Sequence, residues 1–133
     1  MHTKTKGNIG ELFVAADLYS KGFSVFSEYG DNSKIDIIAA KGSNLYRIQV
    51  KSSYLKDGKI TLSKTSSGPG YKYEYTKDDI DIFAVLDLED KSVCYVHIDE
   101  FKDKGTLCLR KLPTANNQMK NVRLFADFLK FPE

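Results

Sequence analysis

The sequence predicts an α/β fold, and three stretches carry that expectation. Gly7 to Tyr19 has the apolar spacing of an amphipathic helix. Ser33 to Ser52 contains two alternating β-prone runs about a short Gly- and Asn-bearing turn, Lys41 to Asn44. Ile82 to Leu86 is a nearly continuous apolar run, as in a strand covered on both faces. With 133 residues, 41% of them hydrophobic and 29% charged, the chain is expected to form a single domain, residues 1–133, with a real core.

In the first helix, Ile9, Leu12, Phe13 and Ala16 follow the i, i+3, i+4, i+7 stripe expected to face the core, and Gly22 is a natural stop. Glu11 lies on the neighbouring stripe with Ala15 and Leu18, close to apolar surface. By itself it reads as a surface glutamate near a helix start, where the helix dipole favours negative charge. Phe23 to Glu28 then reads as a strand and Tyr29 to Ser33 as the turn into the hairpin.

A four-residue hairpin loop places Ala40 opposite Leu45, and hence Ile35 opposite Val50, Ile37 opposite Ile48 and Ala39 opposite Tyr46. That face is the core face. The other pairs Asp36 with Gln49 and Ile38 with Arg47, with Lys51 one step beyond Gln49. A slip of one residue would bury Asp36, Gln49 and Lys51 together, so the apolar pattern itself sets the register. An acid, an amide and a lysine are thereby gathered on one rigid hairpin.

Beyond Ser53 the chain turns polar. Lys59 to Leu62 reads as a short strand and Lys64 to Gly70 as a loop. Tyr71 to Tyr75 alternates aromatic and charged residues, which suits a half-buried strand or, alternatively, a surface that meets nucleic acid. Val93 to Ile98 is a further strand, Asp99 to Phe101 a helical turn and Thr106 to Arg110 an edge strand. Val122, Phe125, Ala126 and Leu129 mark a last amphipathic helix after the polar loop Thr114 to Asn121. Within that loop Asn116-Asn117-Gln118 carries side chains that read adenine edges or sugar-phosphate, though Asn also simply suits turns.

The net charge of +2 is small, but residues 1–77 carry 12 Lys and Arg against 7 Asp and Glu, whereas residues 78–133 carry 8 against 11. The basic half contains the hairpin, a polarity that suits a phosphate backbone and also occurs on ordinary solvated surfaces. Cys94 and Cys108 are too sparse for a zinc site or a disulfide framework and are expected to be buried thiols, and His97 is expected to be structural. No apolar run approaches the ~20 residues of a membrane helix. The N-terminus lacks the apolar stretch of a signal peptide, so a cytoplasmic protein with no membrane partner is expected.

The hairpin patch has the chemistry of phosphodiester hydrolysis. Asp36 offers a carboxylate, Gln49 a side-chain carbonyl and Val50 a main-chain carbonyl, hard oxygens of the kind Mg²⁺ takes. Lys51 can orient the attacking water or stabilise charge developing on phosphate, and Glu11 adds a second carboxylate if its helix packs beside the hairpin. An ordinary solvent-facing surface with a cross-strand ion pair has the same residues.

Asp36 followed by Gln49-Val50-Lys51 resembles the PD-(D/E)xK nuclease signature in its glutamine form, and Gly7-Asn8-Ile9-Gly10-Glu11 resembles the G-x-x-G-E segment that carries the family's N-terminal glutamate. The likeness covers roughly the first 53 residues and resumes at Asp79 to Val85. Group I intron homing endonucleases of this fold are the most similar subgroup, with archaeal Holliday junction resolvases and restriction enzymes more distant. The resemblance implies a restriction-endonuclease-like core of order αβββαβ, a mixed central sheet flanked by helices. It also implies hydrolysis of double-stranded DNA with Mg²⁺, or Mn²⁺ as a substitute. Glu11, Asp36, Gln49 and Lys51 are then the catalytic positions, with Asp36, Gln49, Val50 and Glu11 as metal ligands. Lys34, Arg47, Ser52 and Ser53 flank them and are expected to touch DNA phosphates.

Ile35 stands where the family often has proline, Gln49 replaces an acid, and no long helix is legible between Lys51 and Ile82, where the crossover helix belongs. A domain this small can hardly cover both strands of a long site, so a homodimer or higher homo-oligomer is expected. The alternatives are a junction-resolvase-like or restriction-type nuclease, or an inactive nuclease-like module that only binds DNA or protein.

Overall fold

The computed structural model describes residues 2–113 and 123–133. Helix α1 (Thr3–Ser20) leads into a sheet built from β1 (Ser24–Ser27), β2 (Ile37–Lys41), β3 (Asn44–Ser53), β7 (Ile82–Asp87) and β8 (Val93–His97), in the spatial order β1-β2-β3-β7-β8. The sheet is mixed: β3 and β7 run parallel, and the other neighbours are antiparallel. Between β3 and β7 come β4 (Lys59–Ser63), β5 (Thr65–Gly68) and β6 (Tyr71–Glu74); after β8 come β9 (Thr106–Arg110) and β10 (Arg123–Leu124).

The α/β class and the mixed sheet are those expected. The crossover is not a helix. A parallel strand pair needs a long connection, usually helical, but here β4 to β6 make it. One face of the main sheet is covered by α1. Against the other lies a second core cluster that contains Ile60 and Leu62 of β4 and Leu107 and Leu109 of β9. The main sheet is therefore buried on both sides, and every residue of β7 is buried, which accounts for its unbroken apolar run.

The hairpin register is the one the apolar pattern dictates. Ile37 pairs with Ile48, Ile38 with Arg47, Ala39 with Tyr46 and Ala40 with Leu45. The expected Ile35–Val50 pair is not formed. Asp36 N–H donates to the Ile48 carbonyl at 2.9 Å, one residue out of step with the Ile37–Ile48 pair, as in a β-bulge. Past that point the chain turns Ile35 onto the second cluster, while Val50 stays under α1.

Helix α1 starts earlier than expected, with the His2 side chain accepting from Lys4 N–H at 3.1 Å as its cap. Gly22, at φ +90°, ends it, as expected of a left-handed stop. Its buried stripe is Gly10, Val14 and Leu18; of the expected Ile9, Leu12, Phe13 and Ala16, Ile9 packs half-buried against the core, whereas Leu12 is 71% exposed and Phe13 40%. The reason is Gly10, which lets the helix touch β3. A Cβ there would lie 1.9 Å from Ser52 Oγ and 3.2 Å from Val50 Cγ1. The helix is held at its other end by Tyr95, whose hydroxyl donates to Asp17 at 2.6 Å.

The Lys64–Gly70 stretch, expected as a loop, forms β5 and pairs with β6 across a two-residue Pro69-Gly70 turn. Thr106–Arg110 is the middle of a three-stranded sheet, not an edge, with β4 antiparallel on one side and β10 parallel on the other. Phe125 to Phe128 is a 3-10 turn in place of the expected α-helix. The Asn116-Asn117-Gln118 loop and Val122 lie outside the described residues. Both cysteines are free; Cys94 is buried as expected but Cys108 is exposed. His97 caps the turn Ile98–Phe101 by accepting from Asp99 N–H, a structural role. No described helix is long and apolar enough to cross a membrane.

Gly7 and Gly10 therefore separate experimentally. A methyl group added at Gly7 would meet nothing within 4 Å, so Gly7→Ala should stabilise the helix by ~0.5–1 kcal/mol. Gly10→Ala should destabilise by ~1–3 kcal/mol through overpacking against Ser52. Denaturant melts of the two variants check both signs.

Candidate active site

Two elements supply the site. The bulge at the start of β2 aims Asp36 across the hairpin, where its Oδ2 accepts from Val50 N–H at 2.8 Å. A continued ladder would have given that N–H to Ile35, so the side chain replaces a backbone acceptor. A strand residue directs its N–H and C=O to the same side, so the Val50 carbonyl also points toward Asp36. The Gln49 amide lies against it, with Nε2 3.5 Å from Val50 O. Gln49 and Lys51 sit beside Phe83 and Val85 of β7, on the sheet face opposite α1.

Glu11 reaches the same place from the helix. Burial is the first cause that raises its pKa, and repulsion from Asp36 and then Asp31 follows. Burial likewise raises Asp36, with Asp31 adding to it, against the lowering effect of the Val50 N–H and of Lys51. Lys51 is pushed down by burial, opposed by Tyr73 and Asp36. Its ammonium lies 5.2 Å from the centre of the Tyr75 ring. Asp36 is thus the meeting point: Val50 N–H binds it, Gln49 lies against the Val50 carbonyl, and the charges of Lys51 and Glu11 act on it or feel it.

The flanking residues divide. Lys34 stands at the rim, 3.4 Å from Asp79 and 4.6 Å from the Tyr73 ring centre. Ser53 Oγ is turned onto the Tyr54 carbonyl at 3.0 Å. Arg47 shares the sheet face of Gln49 and Lys51 but its side chain is engaged elsewhere. Its guanidinium grips Asp81 at 2.9 and 3.1 Å and the carbonyls of Asp78 and Lys77, bracing the chain as it enters β7. Ser52 lies under α1, its hydroxyl buried against Gly10 with no hydrogen-bond partner among the described residues. Ser52 points to the α1 side of β3, away from Lys51, and four of the five Arg47 N–H donors are already taken within the protein.

Sequence reasoning missed Asp31, which stands in an irregular turn with no periodic signal, and did not place Tyr73 and Tyr75 beside Lys51. The alternation of Tyr71 to Tyr75 was the available sign of the latter.

A divalent cation fits this donor set. Two carboxylates held in mutual repulsion, an amide oxygen and a main-chain carbonyl are the hard ligands of Mg²⁺, and a cation would relieve the repulsion. No group of three or more His, Cys, Asp or Glu able to hold a metal occurs among the described residues, so the neutral oxygens of Gln49 and Val50 are needed to complete the set.

Residues 1–131 match the family model of the PD-(D/E)XK endonucleases. Protein 5.3 of Escherichia phage T7 is 27% identical over 113 residues, covering 79% of this chain and 88% of that protein. Among solved structures, the bacterial homing endonuclease I-Ssp6803I superposes with a TM-score of 0.76 at 22% identity, over 90% of this chain and 84% of that one. The Holliday junction resolvase Hjc of Archaeoglobus fulgidus superposes with a TM-score of 0.50 at 16% identity, over 79% and 84%. At these identities the two structures establish the shared fold.

The raised carboxylates fix a sign. A carboxyl whose folded-state pKa lies above its unfolded value is favoured by folding when protonated, so stability falls as pH rises through that range. Asp36→Asn keeps an acceptor for Val50 N–H and removes the charge. In metal-free protein at neutral pH it should raise the melting temperature, by about 2–5 °C, and flatten the fall in stability as pH rises above the ordinary carboxylate range. Thermal melts across that range check it.

Proposed function

The chain belongs to the PD-(D/E)XK endonuclease family, and from that premise we propose that it is a Mg²⁺-dependent DNA endonuclease, most like an intron-encoded homing endonuclease. The observation that carries this reading is Asp36 held by the Val50 N–H, with the Lys51 ammonium and the Glu11 carboxylate near enough to interact with its charge. Asp36, Glu11, the Gln49 amide oxygen and the Val50 carbonyl are the residues that would hold the metal, for which Mn²⁺ would substitute. When bound, the metal supplies Lewis-acid polarisation of a phosphate oxygen and a more acidic water.

The chain's own residues do the rest. Asp36 is fixed by the Val50 N–H, so its free oxygen is pre-aimed and costs little reorganisation. Lys51, partly desolvated against Tyr75, places a positive charge beside the attacked phosphate in a low-dielectric setting, where it acts more strongly than in water. Gln49 contributes an oxygen without charge. That weakens the metal site relative to an acid and makes the DNA phosphate a larger share of the cation's ligands. Lys34 at the rim positions the backbone. The protein acts on double-stranded DNA in the cytoplasm as a homodimer or higher homo-oligomer, one site per strand.

Cleavage of a genome-scale duplex library and of a four-way junction, with and without Mg²⁺, tests the reading. Cutting of linear duplex at a discrete site that requires Mg²⁺, and that Lys51→Ala slows by about 10²–10³-fold, is the expected result. Preference for the junction would replace homing with resolution. Folded wild-type protein that cuts neither substrate, with Mg²⁺ or Mn²⁺, would sink the nuclease proposal.

A further inference from the structure

The β5–β6 hairpin carries a row of tyrosines that the proposed chemistry does not use. Alternate residues of β6 place Tyr71 and Tyr73 on one face, and the chain leaving the strand continues the row with Tyr75. Successive rings touch: Tyr71 with Tyr73 at 6.0 Å, Tyr73 with Tyr75 at 5.3 Å, Tyr75 with Phe83 at 5.5 Å. Exposure rises outward along the row. Phe83 is fully buried, Tyr75 is 3% exposed and Tyr71 is 52% exposed. A packed core does not require the polar ends of this row, because phenylalanine would stack as well.

The hydroxyls are arranged in a particular way. Tyr73 and Tyr75 Oη are 3.3 Å apart. The phenol of Tyr75 is driven up, by burial first and then by its bond to Tyr73, while that of Tyr73 is held down, first by the Tyr75 hydroxyl. Either hydroxyl can donate in that contact, and when Tyr75 donates, Tyr73 keeps its own proton to give. Ser66, directly across the hairpin from Tyr73, acts on the same oxygen in the same sense. An anion beside Tyr73 selects that arrangement, in which the Tyr73 O–H turns out of the pair toward it. Around it stand the Lys34 ammonium, 4.6 Å from the Tyr73 ring centre, and Lys51, 5.2 Å from the Tyr75 ring centre.

A hydroxyl that can donate outward, on a ring flanked by two lysines, is a site for an anion. We infer that Tyr73 is a substrate-binding residue whose hydroxyl donates to a DNA backbone phosphate lying between Lys34 and Lys51, with the β5–β6 hairpin as the wall that holds it. This rests on the nuclease reading of the site and adds a contact from an element outside the signature residues.

The test is binding of a fluorescein-labelled duplex, followed by anisotropy over a range of KCl concentrations in EDTA, so that no metal or turnover enters. Tyr73→Phe keeps the ring stack and should weaken binding about tenfold, as loss of a hydrogen bond to a charged group does. The slope of log K against log[KCl] should not change, because a neutral hydroxyl releases no counterion. Lys34→Gln should weaken binding and lower that slope by about 1. Tyr75→Phe deletes the buried partner but leaves the outer donor, and should bind within about twofold of wild type.

Wild-type affinity in Tyr73→Phe overturns the inference and leaves the nuclease reading standing. Equal losses in Tyr73→Phe and Tyr75→Phe also overturn it, since they assign the pair to packing alone. Folded wild-type protein that binds no duplex overturns both readings.

Discussion

The bond from Val50 N–H to the Asp36 carboxylate is where fold and site become one thing. It ends the β2–β3 ladder by substituting a side-chain oxygen for the backbone carbonyl of Ile35. Three consequences follow from it. Ile35 is released to pack on the far side of the sheet, joining the second cluster. The Val50 carbonyl is left at the open end of the hairpin, beside a carboxylate it would otherwise not meet. Asp36 itself loses the freedom that a surface aspartate keeps, so its second oxygen is held in place before any ligand arrives. A bulge is the usual device for re-aiming a side chain next to a site.

The second constraint is the contact of Gly10 with Ser52. Side chains of ordinary size hold a helix roughly 8–10 Å from what it packs on; a glycine at the crossing point brings it nearer, and here the Ser52 hydroxyl fills the space. Close approach over β3 brings Glu11, the next residue, to Asp36. The two acids then repel each other, with Asp31 adding to the field. The fold thus holds negative charge together at some cost to its own stability, which a purely structural surface would have dispersed. The Ser52 hydroxyl, buried without a partner among the described residues, is a second small cost of the same contact.

Much of this was legible in the sequence, for reasons that can be named. The β2–β3 register followed from alternation, because only one pairing keeps Ile37, Ala39 and Ile48 on the buried face. The continuous run Ile82 to Leu86 announced a strand buried on both sides. The helix was legible but its orientation was not: the apolar stripe containing Leu12 and Phe13 promised more burial than the one containing Gly10, and a glycine has no hydrophobicity by which to signal a close contact. Ile35 was misplaced because the bulge comes from a side-chain hydrogen bond, which leaves no trace in a periodic pattern. Lys64 to Gly70 read as a loop because Ser, Thr, Gly and Pro are turn residues, yet a two-residue Pro69-Gly70 turn suffices to close a hairpin. Arg47 and Ser52 looked available because strand parity gives a face and not a partner; Asp81 and Gly10 claimed them from distant parts of the chain.

The replacement of a crossover helix by β4 to β6 bears on function as well as on topology. A helix packed over the β3–β7 pair would present a convex surface of side chains to whatever approaches Lys51. Strands instead extend edge-on past the sheet, and their alternation sorts residues cleanly between the core and the open side. Ile60 and Leu62 go inward, while the tyrosine row climbs from Phe83 out to Tyr71 beside the two lysines. The same connection that closes the second core thereby walls the site. Arg47 fixes the far end of that connection through Asp81, Asp78 and Lys77 just before β7 begins. With its return leg pinned there and its outward leg leading directly from β4, which is paired to β9, the hairpin is anchored at both ends. A residue on it such as Tyr73 can hold a position relative to Gln49 and Lys51 as definite as one on the sheet itself.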